Sequence, residues 1–383
     1  MTNKLAKFYF YLLISVVSCG FLLLPTANII ESGWPKEYNK RSFDGLFSLD
    51  FLETHINYSL FNLGVSGNYK KIVIGTDGWM FLGDFYKKGL SRNRNIESSI
   101  ISDQEIDRWI SSMIARKAWL ASKGVEMIFA IAPNKHSIYP EFLPEWMSIQ
   151  HPNSTDRLVA RSKIDGFNII DMRVELLELK KSTPFLYNRT DTHWTGLGAY
   201  FGYRMLMQSL EELRPDISYV SLNELIYTPI TRRSCCLAGM LKINKQQGKY
   251  YDNDYSINFD GAKNTICVAE LSYTEGKKEE CKIFMNKRLS IHKSAAEVQN
   301  EFAKNNLNVM ILRDSFGGTH NRLINDAFSM ARHYHYNKIK NEKAFKDLVE
   351  KNQPDVVIYQ VVERAVFGKR FTDFSINAMA GAR

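Results

Sequence analysis

Nowhere does this 383-residue chain mass charge of one sign. Its 50 Lys and Arg are scattered among 41 Asp and Glu, for a net charge of +9. Without a basic block or stripe, nucleic acid is not an expected partner; a mildly positive surface suits an anionic glycan or lipid headgroups. Proline and glycine are not in excess, and neither repeats nor low-complexity tracts occur, so the chain is not read as disordered. Cysteine is sparse. Cys19 lies in the apolar N-terminus, while Cys235, Cys236, Cys267 and Cys281 share one stretch of the second half, with no C-x-x-C pair among them. Zinc is possible but unassigned without such a pair, and small buried hydrophobes are the plainer reading of these residues. In an oxidising compartment these four thiols allow three pairings, and the sequence does not choose among them. Adjacent cysteines seldom bond each other, so Cys235 and Cys236 are each expected to pair elsewhere.

What is present starts at the N-terminus. Lys4 and Lys7 precede an uncharged, mostly apolar run from Phe8 to Ile30. About 20 such residues suffice to cross a bilayer, and the flanking charge favours an inside N-terminus. A cleaved signal peptide is the competing reading, although no clean A-x-A site follows the run. Both readings export the rest of the chain. The expected division is a membrane anchor or signal at 1–30, an approach segment at 31–67 with helical character, and a main domain at 68–383.

Within that domain strands and helices alternate. "KKIVIGTDGWMFLGD" carries a hairpin signal at Thr76-Asp77-Gly78. Ser102 and Glu105 form a capping box before apolar residues at helical spacing, and Gly124 marks the stop. "VEMIFAIAP" reads as a buried parallel strand. "DRLVARSK" and "RVELLELKK" read as helices around a strand at "FNIID", and a longer helix is expected from about Gly196 to Leu213. "LNVMILRDS" and "PDVVIYQVVE" are strands, whereas Asn321–Ala331 and "NEKAFKDLVEKN" are helical. This order predicts an α/β domain with a mostly parallel sheet. Arg232 to Lys293 breaks the rhythm and reads as a β-leaning insertion, at about 232–293.

Two stretches carry chemistry. "LYNRTDTHWTGLGAY" sets Asp191 two residues before His193, an extended spacing at which side chains share a face, so the carboxylate can orient the imidazole. Thr195 is placed to cap the next helix. Trp194 either fixes the loop or offers a flat surface to a sugar. "NVMILRDSFGG" ends an apolar strand at Arg313-Asp314-Ser315, where open α/β sheets place their ligands. Ser315 with His193 and Asp191 has the role logic of a nucleophile, base and orienting acid. Separately, Asp191 and His193 read as a structural pair, and Asp314 and Ser315 as a helix cap. In "APNKHSIYP", Asn134 is a candidate donor to an oxyanion or substrate, and Lys135 a candidate partner of an acidic sugar or of the co-substrate. His136 and Tyr139 read as structural or glycan-facing. Arg313 suits a carboxylate, of substrate or of a neighbouring acid. His333-Tyr334-His335 offers two imidazoles but no third ligand, so it reads as a surface strand and no metal is assigned.

In order, "GTDGWMFLGD", "APNKHSIYPEFLP", "LYNRTDTHWTGLGAY", "VMILRDSFGG" and "PDVVIYQVVER" resemble the alginate O-acetyltransferase family of the AlgJ and AlgX type, from about residue 68 to residue 364. The resemblance implies an SGNH-hydrolase-like three-layer αβα domain, with Ser315 as nucleophile, His193 as base and Asp191 as its orienting carboxylate. It implies acetyl transfer to a secreted polysaccharide through an acetyl-serine, at the periplasmic side of a bacterial inner membrane. The acetyl group would come from an upstream donor, supplied by a membrane-bound O-acyltransferase partner, with no cofactor. Where that family carries a Gly-Asp-Leu-like element this chain has Cys235-Cys236-Leu237, which implies a different glycan at that loop. The short stretch after the last strand implies the anchored branch without a carbohydrate-binding module. An acetylesterase with the same three residues and a non-catalytic glycan-binding component are the alternative readings.

Overall fold

The most continuous apolar runs become the middle of one sheet. A computed structural model describes residues 2–34, 44–183, 185–248, 251–259, 265–272, 276–277, 282–285 and 295–372. Its longer helices are α1 (Thr2–Ser32), α2 (Asp50–Asn62), α3 (Asp103–Ser122), α4 (Ser154–Ile164), α5 (Met172–Leu179), α6 (Gly196–Leu213), α7 (Asn321–Ala327) and α8 (Glu342–Asn352). Its strands are β1 (Ile72–Ile74), β2 (Met80–Leu82), β3 (Glu126–Ala132), β4 (Ile170–Asp171), β5 (Leu225–Arg232), β6 (Asp252–Phe259), β7 (Thr265–Ser272), β8 (Gly276–Lys277), β9 (Lys282–Met285), β10 (Ala295–Asn300), β11 (Asn305–Arg313), β12 (Phe328–His335) and β13 (Val356–Val362).

Nine of the strands form a sheet in the order β4-β3-β13-β11-β12-β10-β7-β8, with β9 also on β7. From β4 to β12 every neighbour is parallel, while β10 and β7 continue antiparallel. All seven residues of β13 are buried, as a strand covered on both faces requires. Helices α3, α5 and α6 pack on β3. The capping box at Ser102 and Glu105 forms, and α3 ends before Gly124, whose φ of 71° favours glycine. The hairpin turn at Thr76–Gly78 joins β1 and β2.

Five expectations change. The helix expected to reach Ala331 stops at Ala327, because Phe328–His335 finds strand partners on both sides, β11 and β10. For the same reason His333-Tyr334-His335 is not a surface strand: it lies inside the sheet, and His333 is buried. "FNIID" contributes only the two residues of β4. The 232–293 stretch is not a plain insertion either. β5 and β6 form a separate hairpin, whereas β7 joins the main sheet through β10. Cys235 and Cys236 are both free thiols rather than paired elsewhere; the Cys267 side chain and Cys281 lie outside the described residues.

Lys4–Ile30 within α1 is long and apolar enough to cross a membrane, with a mean hydropathy of 2.0 and none of its most apolar window buried. Asn28 Nδ2 in α1 donates to the Leu46 and Ser48 carbonyls at 2.8 and 2.9 Å. Helix α2 then packs through Tyr58 and Phe61 against a small cluster containing Ile72, Met80 and Leu237, and Lys242 pairs with Asp50 and Glu53.

Candidate active site

Three parallel strands, β3, β11 and β13, end on the same side of the sheet, and the residues after them build the site. After β11, Asp314 caps the short helix Ser315–Thr319. Its Oδ1 accepts from the Phe316 amide at 3.0 Å, and its Oδ2 from the Tyr336 hydroxyl at 2.7 Å and the Val362 amide at 2.8 Å. The turn is thereby held from two neighbouring strands, and Ser315 is left exposed at its apex. Gly317 permits the tight approach, since a Cβ there would fall 2.8 Å from Arg313 Cβ.

The Asp191–His193 loop is a hairpin-like bulge closed by a bridge between Tyr187 and Trp194. Thr195 caps α6 by accepting from the Gly198 amide at 3.2 Å. From below, Lys135 Nζ donates to the carbonyls of Asn188, Arg189 and Asp191 at 2.8, 2.8 and 2.6 Å. From the side, Asp252 accepts from the Thr190 amide at 3.0 Å and from its hydroxyl. Thus held, Asp191 Oδ1 accepts from His193 Nδ1 at 2.8 Å and from the His193 amide at 3.2 Å. His193 Nε2 lies 2.8 Å from Ser315 Oγ. A carboxylate can only accept, so Nδ1 carries the proton, and in the neutral ring Nε2 accepts from the serine hydroxyl. Burial would raise the Asp191 carboxyl, but the His193 hydrogen bonds and charge outweigh it and hold it well below the usual carboxylate range.

The structure thus brings Asp191, His193 and Ser315 together and sends most of the other candidates elsewhere. Lys135 is buried with its ammonium turned onto three carbonyls, so it does not face a glycan. Burial pulls it down to about 7, opposed by Asp191 and Asp252. Tyr139 is buried against Trp79, and its hydroxyl, pushed up to about 12 by burial, accepts from the Leu186 amide at 2.9 Å. Trp194 is buried and donates Nε1 to the Phe316 carbonyl at 3.2 Å, tying the two loops rather than stacking on a sugar. Arg313 is buried and reaches His333 Nδ1 at 3.4 Å. His136 is buried. Asn134 stays beside the site: its Oδ1 accepts from Arg364 at 3.2 Å, its buried Nδ2 has no partner among the described residues, and both residues line a small cavity with Thr192.

Replacing Lys135 by methionine leaves three carbonyls, two of them buried, without their donor. A net loss of about 3 kcal/mol in stability is expected, together with a rate at Ser315 roughly 100-fold lower as Asp191 and His193 lose register. Denaturant unfolding and single-turnover assays check the two effects separately.

Sequence reading missed Glu363, which joins the strand ends. Its Oε1 accepts from Asn93 Nδ2 at 2.8 Å, and its Oε2 from the Asn134 amide at 2.9 Å and Ser137 Oγ at 2.6 Å. Burial would raise this carboxyl, yet Arg173, His136 and these donors hold it below its ordinary value. A depressed folded value means that its stabilisation is fully present above the unfolded value of roughly 4.3 and is lost as pH falls through the folded value. Glu363→Gln should therefore flatten the acid limb of stability against pH, measured by urea unfolding. The available sequence signal was an acid-base pair, Glu363-Arg364, placed directly after an all-apolar strand. The Cys235-Cys236 pair was also missed as a neighbour of Asp191; only the fold brings them together.

Residues 72–254 match the family model described as "SGNH hydrolase-like domain, acetyltransferase AlgX", a span that includes Asp191 and His193 and ends before Ser315. The probable alginate O-acetylase AlgJ of Pseudomonas fluorescens is 25% identical over 201 residues, 51% of this chain and 47% of the relative. That of Pseudomonas aeruginosa is 29% identical over 175 residues, 45% and 39% of the two chains. The chain thus spans about half the length, or less, of the curated relatives it matches. In fold it is similar to Bacillus cereus PatB1, with a TM-score of 0.58 at 13% identity, covering 79% of this chain and 99% of the other. It is also similar to the O-acetyltransferase domain of Pseudomonas putida AlgJ, with a TM-score of 0.51 at 14% identity, covering 82% and 99%. In sequence the chain is thus similar to the AlgX-type SGNH hydrolase-like domain over residues 72–254 and to the alginate O-acetylases named AlgJ, and in fold it is similar to the O-acetyltransferase domain of AlgJ.

Proposed function

We propose that this chain is an O-acetyltransferase that modifies an extracytoplasmic polysaccharide through an acetyl-serine at Ser315. The observation that carries the reading is the continuous chain of contacts from Asp191 through both ring nitrogens of His193 to Ser315 Oγ, each link 2.8 Å long. In the first half-reaction Ser315 Oγ attacks the carbonyl carbon of an acetyl ester while His193 Nε2 takes the hydroxyl proton. The donor oxygen then leaves with that proton. In the second, a sugar hydroxyl gives its proton to His193 and attacks the acetyl-serine, and Ser315 recovers the proton. Asp191 stays ionised and stabilises the imidazolium formed in each half. Asn134 Nδ2 is the donor we assign to the developing oxyanion, because it is buried, unpartnered and lines the cavity beside Thr192.

The relatives named as alginate O-acetylases support an acyl-transfer reading and a polysaccharide acceptor. Helix α1 supports attachment to a membrane; we place the site on the outer side and propose a membrane-bound O-acyltransferase as the source of the acetyl group. The test is mass spectrometry of the full-length protein in detergent after incubation with a soluble acetyl ester. A gain of one acetyl group, mapped to Ser315 and discharged onto added oligosaccharide, is expected. Release of free acetate at the same rate with or without acceptor would identify an esterase, and no adduct at Ser315 would end the reading.

A further inference from the structure

We propose that Cys235, Cys236 and Asp191 form a binding site for one thiophilic divalent cation, of the zinc or cadmium class, at the edge of the catalytic cleft. An oxygen of the Asp191 carboxylate and the two sulfurs lie within 4.8 Å of one another. The sulfurs are 3.2 Å apart, and both thiols are free. Cys236 is exposed and Cys235 half-buried, so a hydrated ion can reach them. Such neighbours are not visible as a metal motif in the sequence, because Asp191 lies more than forty positions away.

The backbone that carries the thiols is also fixed in place. The Cys235 amide donates to Thr190 Oγ1 at 2.9 Å and the Leu237 amide to the Thr190 carbonyl at 2.9 Å. Thr190 in turn is held by Asp252 through its amide and hydroxyl. Leu237 and Ala238 are buried in the small cluster with Ile72 and Met80. Cys235-Cys236 is therefore clamped against the segment that carries Asp191, and outer partners of this kind orient metal ligands.

The donor set selects the ion. Two sulfurs and one carboxylate suit zinc or cadmium rather than magnesium or calcium, which take oxygen. Metal–sulfur bonds of about 2.3 Å place two sulfurs on a tetrahedral ion roughly 3.8 Å apart, so a rotation of either side chain opens the pair far enough. Three protein ligands leave the fourth position to water. On binding, two S–H bonds break, two metal–sulfur bonds form, and two protons pass to solvent with no change in oxidation state. A filled site shares Asp191 with His193 and puts positive charge beside the imidazolium that acyl transfer requires, so it slows the reaction. This last consequence rests on the proposed acetyltransferase reading; the binding itself does not.

The experiment titrates reduced full-length protein in detergent with cadmium chloride, following the ultraviolet thiolate-to-cadmium absorbance and the heat of binding. One ion per chain is expected. Cys236→Ser, at an exposed position, should weaken binding at least about tenfold, and Cys235→Ser,Cys236→Ser should lose the signal, whereas Ser315→Ala should bind as the wild type does. Retention of the full signal by the double variant, which assigns it to other cysteines, would overturn the proposal. So would absence of binding to protein whose free thiols have been counted, or a pair that resists reduction. In a second arm, acetylation is compared with and without the cation in each variant. The ratio should fall for wild type and stay near one for Cys236→Ser; an unchanged ratio in cadmium-loaded wild type removes the link to catalysis. Failure of wild type to form any acetyl adduct would sink the acetyltransferase reading and leave the titration standing.

Discussion

Ser315→Ala protein will unfold at the wild-type temperature and yet transfer acetyl on the order of 10⁶-fold more slowly. Both halves of that expectation come from the geometry. The hydroxyl sits on an exposed residue at the apex of a turn held by Asp314, and among the described residues its one contact at the site is His193 Nε2 at 2.8 Å. Removing it deletes no buried bond, so surface-like tolerance is expected. His193→Ala should fall by a similar factor, and the double variant no further, because groups acting as one unit are not additive. Asp191→Asn is the sharper test. An amide cannot demand the proton on Nδ1 that a carboxylate demands, so the ring can adopt the other tautomer and present N–H to Ser315. A loss of about 10⁴-fold is expected, with the donor KM little changed. Acetyl-ester turnover, set against thermal melting of each variant, decides the matter. A Ser315→Ala protein that still accumulates acetyl groups would move the nucleophile elsewhere.

Much of this architecture was legible in the chain because local and global signals agree. Buried parallel strands announce themselves as apolar runs, so β3, β11 and β13 and the cleft at their ends follow directly from "VEMIFAIAP", "LNVMILRDS" and "PDVVIYQVVE". The Asp191–His193 spacing and the abrupt polar end of β11 located the three central side chains, and the family resemblance linked them. Long-range pairing was less visible. Phe328–His335 could have continued a helix until β10 and β11 were in place to receive it. Lys135 illustrates a second limit. On the sequence it is a cation beside a strand end, ready for an acidic sugar. In the fold, three carbonyls from a loop more than fifty positions later surround it, and no local pattern encodes such a convergence. The same holds for the Cys235-Cys236 thiols, which meet Asp191 only because Thr190 binds the backbone on both sides of Cys236.

Asp314 shows how the nucleophile turn depends on a residue that never meets substrate. Its carboxylate accepts three hydrogen bonds, from Phe316 on its own turn, Tyr336 after β12 and Val362 at the end of β13. It therefore ties Ser315 to the strands on either side of β11, and it is buried. Asparagine keeps the shape but turns an N–H₂ toward donors, so at least one buried donor loses its acceptor. A destabilisation of about 2–4 kcal/mol is expected. Because the turn then relaxes, acetylation should slow roughly 100-fold, with the effect in kcat and not in KM. Tyr336→Phe removes a single donor and leaves the other two in place; it should lose only about 1 kcal/mol and keep most of the rate. If Asp314→Asn proves as stable and as fast as the wild type, Ser315 is held by its own helix turn alone. If stability falls but the rate does not, Asp314 supports the fold without positioning the nucleophile. The expected result is that both fall together for Asp314→Asn and hardly move for Tyr336→Phe, which would make the carboxylate the hinge-pin on which the reactive hydroxyl is set against His193.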